Sequence, residues 1–160
     1  MPEEESERGV LILVAEDNRA DEMLMRRALK QHQVEHTMLA MDDGDKVIDY
    51  VMRGDADDTV RCPDLLLLDL NLPKRNGEEV LTRVRQSARF RHIPVLIVTS
   101  SDSPKDRAMA ERLGAANYFQ KPPDLDRFMK IGALVKEILA ATSCDRGQSA
   151  TFHRVSAALD

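Results

Sequence analysis

The chain has few of the features that mark secreted or membrane-spanning proteins. It has only two cysteines, Cys62 and Cys144, in 160 residues, and their spacing fits neither a disulfide framework nor a thiolate metal site. Its longest apolar runs, such as residues 10–15 and 65–68, are far shorter than the ~20 residues that a membrane-spanning helix needs. We therefore expect two free thiols and no membrane association.

The sequence also lacks an excess of basic residues. Lys and Arg number 23 against 28 Asp and Glu, which gives a formal net charge of −5. A nucleic-acid-binding surface needs Lys and Arg gathered on one face to displace counterions from phosphates, so we expect no nucleic-acid partner. Residues 1–8 form an acidic tail without the basic start or the apolar stretch of an export signal. These features predict a cytoplasmic protein.

Short apolar runs alternate with longer amphipathic segments, and five strand-then-helix units can be counted. Because strands that are apolar throughout must be buried on both faces, the pattern predicts a doubly wound α/β domain with a parallel sheet. The strands are expected at residues 10–14, 36–40, 65–68, 93–98 and 117–120.

The helices are expected after each strand, the last from about Asp124 to Ala140. The acidic stretch 53–59 has no apolar period and predicts a solvated loop. In the first helix the apolar residues at helical spacing are Ala20, Met23, Leu24, Ala28 and Leu29, and in the fourth they are Ala108, Met109 and Leu113.

Charged and hydroxyl side chains lie at the carboxyl ends of four expected strands. Glu16 and Asp17 follow the first strand, Asp69 the third, Thr99 ends the fourth, and Lys121 follows the fifth. The carboxyl ends of parallel strands meet at one edge of the sheet, where open α/β sheets bind their ligands. We therefore expect these five side chains to share one pocket.

This combination of side chains favours one kind of chemistry. Three carboxylates in one pocket repel one another and either take up protons or attract a cation. A set of oxygen ligands favours Mg²⁺ or a similar hard ion, which also accepts a phosphate oxygen. With Lys121 as a second positive charge, the pocket would stabilise phosphoryl transfer. Asp69 is the expected acceptor, and the Thr99 hydroxyl would then bond to a phosphoryl oxygen.

These residues together resemble the signature of the receiver domains of bacterial response regulators. The residues that carry the resemblance are Glu16, Asp17, Asp69, Thr99, Lys121 and Pro122. The resemblance implies a flavodoxin-like sheet with strand order 2-1-3-4-5, a receiver domain over residues 9–141, and a flexible or partner-contacting extension over residues 142–160. One departure is Asn76, where many receivers have an aspartate, and asparagine also suits that turn.

The resemblance implies roles for the site residues. Asp69 would be the phosphoacceptor, and Thr99 and Lys121 would assist the transfer. Mg²⁺ would be held by Glu16, Asp17, Asp69 and the main-chain carbonyl of Asn71.

A switch pair and a backbone feature are also implied. Tyr118 lies three residues before the lysine, where receivers have an aromatic residue that turns inward when the hydroxyl residue engages the phosphoryl group. Thr99 and Tyr118 would therefore be the switch residues. The bond between Lys121 and Pro122 is expected to be cis, which costs only ~0.5 to 1 kcal/mol over trans and would aim the ammonium into the pocket.

The implied partners are a sensor histidine kinase, which would donate from a phosphohistidine, and a downstream protein target. The sequence from Leu70 to Pro73, followed by Asn76-Gly77, resembles the small single-domain regulators paired with phytochrome-type kinases. The last helix carries an apolar stripe from Phe128 to Leu139 that is broader than one buried face requires. The stripe indicates either a homodimer contact or a surface that the C-terminal tail covers.

Two other functions remain open at this stage. A receiver-like adaptor would keep the fold and bind partners without being phosphorylated, and the intact acid, hydroxyl and lysine set argues against it. A phosphatase or phosphotransferase would need a second acid near Asp69 and a cap domain, and the sequence Asp69-Leu70-Asn71 offers no such acid. We expect a protein that catalyses its own phosphorylation and dephosphorylation rather than a conventional enzyme.

Overall fold

Five parallel strands form one sheet at the centre of the protein. The computed structural model describes residues 9–147 of the chain, with side chains as far as residue 142. The strand order is β2-β1-β3-β4-β5, and every neighbouring pair is parallel. The predicted sheet and its strand order are confirmed. The strands are β1 Val10–Ala15, β2 His36–Met41, β3 Leu65–Leu68, β4 Val95–Thr99 and β5 Asn117–Gln120.

Helices connect the strands and cover both faces of the sheet. A capping side chain accepts a hydrogen bond from the first turn of five of them, which satisfies a backbone N–H that has no partner within the helix; the capping residues are Asn18, Asp43, Asn76, Ser103 and Asp124. Within residues 9–147, no helix has the length and hydropathy needed to cross a membrane. The helices are α1 Arg19–Gln31, α2 Gly44–Ala56, α3 Gly77–Gln86, α4 Pro104–Arg112, α5 Leu125–Phe128 and α6 Ile131–Gly147.

The sheet separates two hydrophobic cores. Successive residues of a strand point to opposite faces, so Leu66 and Leu68 pack with residues of α2 and α3, while Leu65 and Leu67 pack with residues of α1 and α6. All four leucines are at most 1% exposed. This arrangement explains why the strands are apolar throughout rather than alternating.

Two helix boundaries differ from the prediction. Helix α2 continues to Ala56, so the loop expected over residues 53–59 is wrong in its first four positions; Gly54 is buried there against the ring of Phe90. The last helix is not continuous from Asp124 to Ala140 but is divided into α5 and α6, and α6 continues past the expected end to Gly147. The backbone tightens between them, because the N–H groups of Lys130 and Gly132 donate to carbonyls only three residues earlier.

The buried faces of two helices also differ in detail from the sequence pattern. In α1, Met25 is buried and Met23 is 61% exposed. In α4, Met109 and Ala110 are buried and Ala108 is exposed. In both helices packing against the sheet selects the inward face, and apolar residues one or two positions away are left in solvent.

The apolar stripe of the last helix is used inside the chain. Its residues belong to the core shared with α1, where all but Leu139 are buried and Leu139 is partly buried. The stripe therefore has no excess that would require a dimer contact. The alternative was that the C-terminal tail covers the stripe. Most of that tail, residues 148–160, lies outside the described residues. The stripe consists of Phe128, Met129, Ile131, Leu134, Val135, Ile138 and Leu139.

A guanidinium group joins backbone segments at the amino ends of β4 and β5. Arg85 donates hydrogen bonds to the carbonyl oxygens of Leu113, Arg91, Ile93 and Gly114, at 2.8 to 3.0 Å. Burial lowers the pKa of this guanidinium from its ordinary value, but an arginine stays charged at any physiological pH. Arg85 therefore links the end of α3 to the segments that lead into two strands.

Helices α1 and α6 pack closely because residue 132 is a glycine. A Cβ atom at Gly132 would lie 2.5 Å from the carbonyl oxygen of Ala28 and 2.3 Å from Cδ2 of His32. The backbone oxygen cannot move aside without shifting the helix. The contact between the two helices therefore requires glycine at this position.

We expect Gly132→Ala to lower the free energy of unfolding by about 1–3 kcal/mol, because a methyl group is forced into a packed contact. The direction of the change is informative, because replacing glycine by alanine in a helix without such a contact stabilises the protein by about 1 kcal/mol. Urea denaturation followed by circular dichroism measures the change. Ala133→Ser, at the exposed neighbouring position, should change stability by less than about 0.5 kcal/mol, and a more stable Gly132→Ala protein would contradict the close contact.

Candidate functional site

A lysine at the end of β5 lies among three carboxylates. The Lys121 Nζ atom is 2.7 Å from Oε1 of Glu16, 2.8 Å from Oδ2 of Asp21 and 3.1 Å from Oδ2 of Asp69. The ammonium has three N–H donors, which matches the number of carboxylates around it. The sequence predicted that Glu16, Asp69 and Lys121 would meet, and the structure brings them together. It did not predict Asp21.

Three acids in this pocket form a cluster with the character of a metal site. Glu16, Asp17 and Asp69 each offer a carboxylate oxygen within 4.8 Å of the others. Glu16 and Asp69 are buried, and Asp17 is exposed. Oε1 of Glu16 is paired with the Lys121 ammonium at 2.7 Å. The three acids together present a set of carboxylate oxygens that fits a hard divalent cation.

The neighbouring strands hold the two buried acids in place. The N–H of Asp69 donates to the carbonyl of Ala15 at 3.0 Å, and the N–H of Glu16 donates to the carbonyl of Met41 at 3.0 Å. The N–H of Asn71 donates to Oδ1 of Asp69 at 3.1 Å and so orients the carboxylate. The predicted site residue Asn71 therefore lies next to Asp69 at the surface of the pocket.

The loop after β3 approaches the start of α3 closely. A Cβ atom at Gly77 would lie 2.6 Å from Cα of Leu70 and 2.8 Å from the carbonyl oxygen of Asp69. The N–H of Gly77 also donates to the carbonyl of Leu70 at 2.9 Å. Only glycine allows this approach, and it fixes the backbone on which the Asp69 carboxylate stands.

The pocket shifts the ionisation of Glu16 and Lys121. Burial, reinforced by the charge of Asp69, raises the Glu16 pKa to about 7, although the nearby lysine opposes the shift. For Lys121, burial alone would lower the pKa, but its bonds to Asp21 and Glu16 and the charge of Asp69 outweigh burial and raise it above the ordinary value. The lysine is therefore charged at neutral pH, and burial disfavours the negative charge of Glu16 even with the ammonium beside it.

The two predicted switch residues are linked through Ser101. Thr99 is fully buried, and its Oγ1 accepts a hydrogen bond from the N–H of Ser101 at 3.3 Å. Tyr118 is half-buried, and its hydroxyl donates to the carbonyl of Ser101 at 2.9 Å. The guanidinium of Arg107 lies over the Tyr118 ring, 4.4 Å from its centroid. Sequence reasoning did not identify Ser101 or Arg107.

The expected cis bond before Pro122 is wrong, because none of the described peptide bonds is cis. The trans form is the intrinsically favoured one, and here it suffices. The N–H of Lys121 donates to the carbonyl of Thr99 at 2.7 Å, which holds the residue at the end of β4. From that position the lysine side chain reaches all three carboxylates.

The comparison with known proteins identifies this arrangement. The sequence matches the family described as "Response regulator receiver domain" over residues 12–132. The chain belongs to the response regulator receiver family. The predicted resemblance is confirmed, and the protein is a phosphorylation-dependent response regulator by its family.

Among its relatives are small regulators of similar length. Response regulator Rcp1 of Synechocystis sp. is 33% identical over 129 residues, which cover 80% of this chain and 87% of Rcp1. The probable methanogenesis regulatory protein FilR2 of Methanothrix harundinacea is 33% identical over 133 residues, which cover 83% and 85% of the two chains.

Solved structures of similar regulators share the fold. The phosphorylated cyanobacterial phytochrome response regulator RcpA aligns with a TM-score of 0.75 and 30% identity, covering 84% of this chain and 96% of RcpA. The Mn²⁺-bound form of Rcp1 aligns with a TM-score of 0.69 and 27% identity, covering 90% and 99% of the two chains. This chain is thus similar to regulators that carry a metal or a phosphoryl group.

The raised pKa of Glu16 predicts how stability depends on pH without metal. A carboxyl whose folded pKa lies above its unfolded value favours the folded state at low pH, and this contribution is lost as the pH rises from about 4.5 to about 7. In the presence of a chelator, the unfolding free energy of the native chain minus that of Glu16→Gln should fall by on the order of 2–3 kcal/mol over this window.

Urea titrations at several pH values measure this difference. Glu22→Gln is the matched control, because Glu22 is a partly exposed acid of α1 that pairs with Arg26. The difference in unfolding free energy between the native chain and Glu22→Gln should stay nearly constant over this pH range. If the difference in unfolding free energy between the native chain and Glu16→Gln is also constant, ionisation of Glu16 does not destabilise the folded protein.

Proposed function

We propose that this receiver accepts a phosphoryl group onto Asp69 from the phosphohistidine of a sensor histidine kinase, with Mg²⁺ in the acid cluster. A carboxylate oxygen of Asp69 would form a bond to phosphorus while the bond between phosphorus and the histidine nitrogen breaks, and the histidine keeps the electron pair. The observation that carries the proposal is the position of Asp69, which lies within reach of Lys121 and belongs to the cluster with Glu16 and Asp17.

The residues around Asp69 support this role. Glu16, Asp17, Asp69 and the main-chain carbonyl of Asn71 would hold Mg²⁺, which supplies positive charge that offsets the charge of the incoming phosphoryl group. Lys121 adds an ammonium 3.1 Å from Oδ2 of Asp69. The bond from the Asn71 N–H to Oδ1 keeps the carboxylate in one orientation, which suits a reaction that depends on positioning.

The switch would operate through the loop between β4 and α4. In the structure Thr99 and Tyr118 bond to the same residue, Ser101. A Thr99 hydroxyl that turns to a phosphoryl oxygen would give up its bond to the Ser101 N–H. The loop could then move and release Tyr118, whose inward turn would change the surface that a downstream protein recognises.

The partners follow from this scheme. We propose a phytochrome-type kinase as the donor, because the similar protein RcpA is a phytochrome response regulator. We place the protein, with that kinase, in the cytoplasm. The protein would catalyse its own phosphorylation and dephosphorylation and pass the signal to a protein target. A homodimer would need surfaces other than the buried stripe of the last helix, and a strict monomer in sedimentation at high micromolar concentration ends that hypothesis.

Incubation with a small phosphodonor such as acetyl phosphate and Mg²⁺ tests the acceptor. Intact mass should show one added phosphoryl group on the native chain and none on Asp69→Asn, because an amide cannot form the acyl phosphate. Asp58→Asn is the matched control, since Asp58 is an exposed acid in the loop after α2, and it should be modified like the native chain. Equal modification of Asp69→Asn would refute the assignment, and an unmodified native chain would favour the adaptor function.

Metal binding gives an independent test of the cluster. Asp17 is exposed, so Asp17→Asn should leave the fold intact while removing a charged oxygen ligand. We expect its affinity for Mg²⁺, measured by isothermal titration calorimetry, to fall by about ten- to a hundredfold or more. Removing a residue that only hydrogen-bonds to a metal ligand already costs about that much. Asp102→Asn, an exposed acid in the loop after β4, should bind Mg²⁺ nearly as the native chain does. Unchanged binding by Asp17→Asn would exclude it as a ligand.

A further inference from the structure

Asp21 is the acid of the pocket that neither the sequence pattern nor the proposed chemistry accounts for. Its Oδ2 atom lies 2.8 Å from Lys121 Nζ, and its side chain is 21% exposed. It lies in the first turn of α1, whereas Glu16 and Asp69 follow strands. A carboxylate this close to the ammonium that also contacts Asp69 requires an explanation.

The usual role of an acid at this position is taken by another residue. Asp21 is the third residue of α1, and an acid there often reaches back to the N–H of the capping residue. Here the N–H of the cap, Asn18, donates instead to Oε2 of Glu16 at 3.1 Å. The carboxylate of Asp21 extends to Lys121, across the pocket from its own helix. Asp21 therefore serves the lysine rather than the helix cap.

The three partners of Lys121 are not equivalent. Glu16 and Asp69 belong to the cluster whose oxygens lie within 4.8 Å of one another, and Asp21 does not. Under the proposed function, Glu16 and Asp69 would serve as metal ligands, and Asp69 would also become the acyl phosphate. Both would then offer less negative charge to the ammonium. Asp21 is the one partner whose carboxylate stays free for Lys121.

We propose that Asp21 is a positioning residue that anchors the Lys121 ammonium in the pocket when the cluster holds its metal and Asp69 reacts. In the metal-free protein all three acids share the ammonium, and Asp21 is redundant. In the metal-loaded protein it keeps one N–H donor occupied, so that the other two remain directed at the reacting carboxylate and the phosphoryl oxygens. This inference rests on the proposed function of Asp69.

The first test follows the lysine itself. In ¹⁵N-labelled protein with saturating Mg²⁺, the Lys121 ammonium should be protected from rapid hydrogen exchange in the native chain and in Glu22→Gln, and unprotected in Asp21→Asn. Without Mg²⁺ it should stay protected in Asp21→Asn, because Glu16 and Asp69 then hold it. Glu22 is a suitable control because it lies next to Asp21 and pairs with Arg26 at 3.1 Å. Protection that persists in Mg²⁺-loaded Asp21→Asn would overturn the proposal.

The second test asks whether Asp21 acts through Lys121. At saturating Mg²⁺ and one fixed pH, Asp21→Asn should slow modification by acetyl phosphate about tenfold, within the range of couplings between residues in contact. Glu22→Gln should keep the native rate. In a Lys121→Gln background, Asp21→Asn should have no further effect. An equal slowing in that background, or a native rate for Asp21→Asn alone, would contradict the anchoring role.

The two measurements separate this inference from the proposed function. If the native chain is not modified at all, the proposed function fails, and the hydrogen exchange of Lys121 still decides whether Asp21 anchors it. If the native chain is modified at Asp69 and Asp21→Asn behaves like Glu22→Gln, only the anchoring role fails.

Discussion

The pocket is organised by one ammonium group and the acids around it. Lys121 lies within 3.1 Å of carboxylate oxygens from the ends of β1 and β3 and from the first turn of α1. Without this positive charge, acids at the adjoining strand ends would repel one another in a buried site. The ion pairs therefore hold together structural elements that are far apart in the sequence. The same charge is available to an anion that enters the pocket, so the interaction that stabilises the resting site also prepares it for phosphate.

Much of this arrangement could be predicted from the sequence, because its causes are local. Continuous apolar strands imply a sheet buried on both faces, and acids at strand ends must meet at one edge of a parallel sheet. The capping residues mark where helices begin. For these reasons the parallel sheet and the meeting of Glu16, Asp69 and Lys121 were correctly predicted. The strand order was implied by the family resemblance, and it is confirmed as well.

The features that sequence reasoning missed depend on contacts between distant segments. Asp21 looks like an ordinary first-turn acid until β5 places Lys121 beside it. Ser101 has no distinguishing neighbour in sequence, yet it bonds to both Thr99 and Tyr118. The division of the last helix follows from backbone bonds that tighten near Lys130. The trans bond before Pro122 contradicts an expectation that came from the family resemblance and not from the local sequence. Periodicity carries no information about such contacts.

The amino ends and the carboxyl ends of the strands are held by different kinds of bond. At the amino ends of β4 and β5, Arg85 binds four backbone carbonyls, which have no charge to lose and no proton to gain at physiological pH. At the carboxyl ends, the contacts of Lys121 are with carboxylates that respond to protons, cations and phosphate. A change of charge at the carboxyl ends therefore acts on the contacts of Lys121 and leaves the contacts of Arg85 unchanged.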